Sequence, residues 1–173
     1  MPETSRENEP ISRYRCQYFY RPYHFRAIEH LFGLDIEIHT TREVFDQLTA
    51  RQKEILTVFY ANGRLTVYDF SWEELAEIFT LDFPAGLEPA DRTVFYYARQ
   101  LACLVISGDN KLRKHCEKKG LEVHGLIWVF DQIVALELIS KTTAVEKLEK
   151  LMSYNDRLPA DEILKRLKKW SAK

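Results

Sequence analysis

Two aspartates are the residues best placed for chemistry in this chain. Asp91 opens a stretch with helical spacing, and Asp109 closes the apolar run "CLVISGD" eighteen residues later. In a parallel α/β unit, the start of a helix and the end of the following strand lie on the same edge of the sheet. That edge is where such folds keep their ligands. Two carboxylates meeting there can hold Mg²⁺ or Mn²⁺, which take hard oxygen ligands. The same two residues also suit helix capping, because Asp accepts hydrogen bonds from the first free amides and complements the dipole. Spacing alone weighs toward capping, and both readings stand at this point.

Other side chains have weaker chemical signals. Arg113, Lys114, Lys118 and Lys119 form a basic surface beside Asp109. It suits RNA phosphates or a solvated helix face, the commoner case. Lys165, Arg166, Lys168 and Lys169 also fit the C-terminal end of a helix. Tyr14, Tyr18, Phe19, Tyr20, Tyr23 and Phe25 offer rings that stack bases or fill a core or an oligomer interface. His39 and His124 fall in expected strands and His115 in an expected helix, with no metal-ligand spacing between them, so they read as structural.

Composition narrows the class. The formal net charge is −1, so no global field draws the chain to nucleic acid or membrane. Cys16, Cys103 and Cys116 are scattered without a CxxC pair, which argues against a disulfide framework and for a reducing compartment. Cys103 heads a buried strand and reads as inert. No apolar run reaches transmembrane length, and the start "MPETSRENEP" lacks an apolar signal core. The expectation is a soluble, cytoplasmic protein with no membrane partner.

The elements that must position the aspartates follow from periodicity. "RYRCQYFY" alternates as a strand, and "PYHFRAIEHLF" has helical spacing ending at Gly33. "DIEIHT" is a short strand, after which Thr40 or Thr41 caps one helix running through Val44, Leu48, Ile55 and Phe59 to Asn62-Gly63. "RLTVYDF" is a strand, and Ser71 to Glu74 is a capping box. Pro89 suits the first turn of the Asp91 helix. "CLVIS" reads as a strand buried on both faces, followed by the helix "NKLRKHCEKKG", the strand "LEVHG" and three closing helices. Strands alternating with helices give an α/β sandwich around a parallel sheet.

The stretch "LEPADRTVFYYARQLACLVISGDNKLRKHCEKKGLEVHGLIWVFDQIV" resembles the PIN-domain ribonucleases, a fold used by many prokaryotic toxin nucleases. An acidic residue opens a helix that reaches Ala98. An apolar strand then closes in Ser-Gly-Asp, and a basic "KLRK" helix follows. "IEIHTTREVFDQL" resembles the family's second strand and the helix after it. The resemblance implies a three-layer α/β/α PIN-like sandwich with a central parallel sheet, over a single domain at 12–173 with C-terminal helices. The polar residues 1–11 read as a disordered tail.

It also implies a cluster of three or four acidic side chains holding one or two divalent ions that activate water for phosphodiester cleavage. Asp91 and Asp109 match two of these positions as catalytic metal ligands for Mg²⁺ or Mn²⁺. Gln47 stands where the family has Glu, as a neutral ligand, and Asp46 is one residue off, about 100° round the helix. Counting back, the family's first-strand Asp falls near Tyr14 to Gln17, where no acidic residue occurs. The implied activity is a PIN-type endoribonuclease weakened by the loss of two acidic ligands, with RNA as its partner. The alternative is a catalytically inactive PIN-fold interaction module, as a homodimer or the partner of a small antitoxin-like regulatory protein.

Overall fold

All four residues of Leu104–Ser107 are buried, as a strand covered on both faces requires. In the computed structural model this strand, β4, lies in a parallel five-stranded sheet of order β3-β2-β1-β4-β5. The strands are β1 (Cys16–Tyr20), β2 (Glu37–Thr41), β3 (Leu65–Tyr68), β4 (Leu104–Ser107) and β5 (Val123–His124). The helices are α1 (Arg42–Asp46), α2 (Ala50–Ala61), α3 (Trp72–Thr80), α4 (Pro89–Leu101), α5 (Asn110–Lys118), α6 (Leu126–Ala135), α7 (Lys141–Met152) and α8 (Ala160–Ser171). The structure describes residues 16–20 (backbone only), 30, 32, 36–153 and 158–171. The expected tail at 1–11, and the expected helix over 22–32 apart from His30 and Phe32, lie outside the described residues.

Strand alternation sorts the side chains into two layers. Ile38, Leu65, Leu104 and Ile106 pack with Phe130, Ile133, Leu148 and Ile163 from α6, α7 and α8. Val105 and Val123 pack on the other side with Ile78, Val94, Ala98 and Leu112 from α3, α4 and α5. The architecture is therefore the expected three-layer α/β/α sandwich with a central parallel sheet.

The expected single helix after β2 is two helices. Thr49 interrupts it. Its hydroxyl accepts from Gln52 N, and the Gln52 side chain accepts from Thr49 N at 2.9 Å, a complete capping box. Leu48, in the break, is buried against the layer of Ile38 and Leu56. No Gly or Pro marks this break; a local polar cap and a buried leucine together outweigh the apolar periodicity. Elsewhere the local signals hold. Ser71 and Glu74 form both halves of their capping box. α4 closes on Ala102 in the left-handed region at φ 50°, and Cys103 N reaches Ala98 O at 3.1 Å to turn the chain into β4.

Candidate functional site

Four connections at the carboxyl edge of the sheet carry an acidic residue. Glu43 stands two residues past β2, Asp69 directly follows β3, Asp91 is in the first turn of α4, and Asp109 stands two residues past β4. α4 is the helix that organises them. It lies on β2 and β3 through a polar and aromatic ladder. The Thr93 and Thr41 hydroxyls hydrogen-bond at 2.9 Å, the Tyr97 hydroxyl meets His39 Nδ1 at 3.2 Å, and the Tyr97 ring stacks on Tyr68 at 4.1 Å.

Glu43 leans into this contact. Burial, then the nearby Asp69 charge, raises its carboxyl above the usual range, while its own backbone and the Thr41 and Thr93 hydroxyls pull the other way. Its Oε2 is buried with no hydrogen-bond partner. A raised acid is more protonated in the folded state, so its stabilising contribution is complete below pH 4.5 and is lost as pH rises through the folded value. Glu43→Gln should therefore melt higher than wild type at neutral pH, and the two melting temperatures should converge below pH 4.5. Parallel melting curves across that range would contradict this environment for Glu43.

Asp91 precedes Thr93 by two residues, so its side chain leaves α4 about 200° round the helix from Thr93. It is 2 % exposed. The Cys116 thiol of α5 is pushed up to about 12, first by its own burial and then by the Asp91 charge. Asp109 addresses the same helix from its end. Its Oδ1 accepts from Lys111 N at 2.8 Å and Leu112 N at 2.9 Å, capping α5. Its own N–H donates to the buried Ser107 hydroxyl at 3.0 Å. The capping reading of Asp109 is thus correct, and both cap bonds fall on one oxygen. Oδ2 is the atom left for a cation.

Gln47 is exposed at the C-cap of α1. Asp46 is exposed and pairs with Lys53 at 3.6 Å. Sequence reasoning passed over Glu43, although the signal was present: it stands four residues before Gln47, on the same helix face and one turn nearer the carboxyl edge. The first-strand position also moves. β1 runs to Tyr20, which pairs with Ser107, so the carboxyl end of this strand lies beyond Cys16 and Gln17, on Tyr20. Tyr14 and Arg15 lie outside the described residues. Neither placement supplies an acidic side chain. Among the described residues, no three His, Cys, Asp or Glu side chains group closely enough to hold a metal ion.

His115, His124, Arg166 and Lys165 have structural partners. His115 packs on Phe95 and Phe83, and His124 stacks on Trp128. Arg166 holds Asp131, with Nη2 to Oδ2 at 2.9 Å, and Lys165 holds Glu162 at 2.8 Å. Cys103 is buried. The side chains of Tyr14, Tyr18, Phe19, Tyr20, Tyr23 and Phe25 lie outside the described residues. No helix among the described residues is long and apolar enough to cross a membrane.

A comparison with curated proteins finds no match to the chain. A family model described as PIN domain matches residues 23–172. That span takes in β2 to β5, the crossover helix carrying Asp91 and the strand end carrying Asp109. The parallel sheet, the acidic helix start and the Ser-Gly-Asp strand end agree with this match over most of the chain, which belongs to the PIN-domain family.

Proposed function

We propose that the chain is a divalent-metal-dependent PIN-type ribonuclease weakened by loss of acidic ligands. One observation carries the reading: the topology brings Asp91 and Asp109 to one edge of the sheet, at the two ends of the α4–β4 unit, with Oδ2 of Asp109 outside its cap bonds. Asp91 and Asp109 would hold Mg²⁺ or Mn²⁺, with Gln47 as a neutral ligand. The ion would polarise a phosphoryl oxygen and acidify a water. The exposed cations Lys111, Lys114 and Lys118 on α5 would meet the RNA phosphates.

A second reading, a catalytically inactive interaction module that pairs with itself or with a small antitoxin-like protein, is favoured by two positions. Tyr20 stands at the end of β1 and Gln47 at the family's Glu position, so charged oxygens are few. A divalent ion gives up part of its hydration shell on binding, and neutral groups compensate poorly.

The test is calorimetric Mn²⁺ titration beside cleavage of a generic single-stranded RNA. Wild type should bind Mn²⁺ weakly and cleave weakly. Gln47→Glu should bind roughly tenfold more tightly, by the scale of metal-site substitutions, without restoring full cleavage. Robust wild-type cleavage that disappears in Asp109→Ala would show an intact centre. No isotherm and no cleavage in either protein would leave the interaction-module reading.

A further inference from the structure

Helix α3 carries more apolar surface than the core beneath it covers. Ile78 is 1 % exposed and Leu75 is partly buried against the same layer. On the outer side Trp72 is 84 % and Phe79 58 % exposed. Positions 72, 76 and 79 are i, i+4 and i+7, so Trp72, Ala76 and Phe79 form one stripe along the helix. Single exposed apolar residues are ordinary, but two large rings on one stripe of a nine-residue helix mark a surface that something covers.

The charge around the stripe says what kind of partner fits. Between Arg64 and Arg92 the sequence holds seven acidic residues and no Lys, Arg or His. The whole chain has a formal net charge of −1, so the remainder is formally +6. Glu73 and Glu77 follow the stripe on one side at helical spacing, and Asp82 is exposed just beyond the end of α3. Two of the helix carboxylates are held in place: Glu77 Oε2 accepts from the Tyr96 hydroxyl at 2.7 Å, and Glu74 accepts from Ser71 N at 2.8 Å. Such a face repels nucleic acid and anionic lipid. It attracts cations with apolar neighbours, and Trp72 offers a ring face for Lys or Arg.

We infer that the outer face of α3 is a docking surface for a cationic amphipathic helix of a partner protein, with apolar side chains over Trp72 and Phe79 and Lys or Arg against Glu73, Glu77 and Asp82. A helix matches the length and straightness of the stripe. The chain's own basic helix α8, with Leu164 47 % exposed, is the competing occupant from a second copy. That contact would pair α3 of one copy with α8 of another and would show as self-association of the chain.

The experiment titrates the full chain with a synthetic amphipathic helical peptide of Leu and Lys, and with a Leu and Glu peptide of the same pattern. Binding of the cationic peptide should shift Trp emission to the blue, protect it from acrylamide, and weaken with salt. Labelled-peptide anisotropy should show at least about tenfold weaker binding for Trp72→Ser, Phe79→Ser and Glu73→Lys, with circular dichroism unchanged because these side chains face solvent. Absence of cationic-peptide binding, equal binding of the acidic peptide, or undiminished binding by all three variants overturns the inference. A concentration-dependent self-association lost in Trp72→Ser would assign the face to a second copy and overturn it as well.

Discussion

Asp91→Ala is expected to abolish the Mn²⁺ isotherm under conditions where wild type gives a weak one. The argument is a count of charged oxygens. Partners that merely orient a metal ligand cost roughly 10–100-fold in affinity when removed, so deleting one of two charged ligands should cost at least about 100-fold. Asp109→Asn supplies the control that separates site from cap. Asn caps a helix about as well as Asp, so the bonds to Lys111 N and Leu112 N survive while the charge is lost. That variant should melt close to wild type yet bind Mn²⁺ more weakly. Asp109→Ala should lose the cap as well, at about 1 kcal/mol. Unchanged isotherms in both Asp91→Ala and Asp109→Asn would mean that any bound ion sits elsewhere.

Phe130→Ala should have the largest effect on stability. Phe130 is fully buried, in the layer that joins the sheet to α6, α7 and α8. Truncating a buried Phe removes transfer energy and leaves a cavity, at about 3–5 kcal/mol. That is a large share of a typical domain stability of about 5–15 kcal/mol. At roughly 2–4 °C per kcal/mol for a domain of this size, the melt should fall by roughly 6–20 °C. The lesion lies on the opposite face of the sheet from α4, so Mn²⁺ affinity measured well below the melt should match wild type. A shift under about 2 °C would show that this layer is not packed as described, and lost metal binding would couple two layers that the structure separates.

The elements that hold the site were legible because their signals are local. The unbroken apolar run from Cys103 to Ile106 identifies β4 as a covered strand, because a strand buried on both faces reads as a near-continuous apolar run rather than an alternating one. Ser71 with Glu74, and Pro89 at the start of α4, mark helix starts through groups only a few residues apart. Asp109 could be named as a cap from its place between strand and helix, for the same reason.

What needed the tertiary structure involves partners far apart in sequence. Glu43 meets Thr93 only because α4 crosses the end of β2, fifty residues away; read alone, it was one more acid near a helix start. The end of β1 fell on Tyr20 only when the pairing with β4 set the register, because a strand's own alternation does not say where it begins. The break at Thr49 depended on a local box acting together with Leu48 reaching the core. Trp72 and Phe79 belong to the same apolar pattern as Ile78, and periodicity cannot distinguish them. Which side of that arc is covered is decided by what packs there, and α3 rests on α4 through Ile78 while the two rings remain in water.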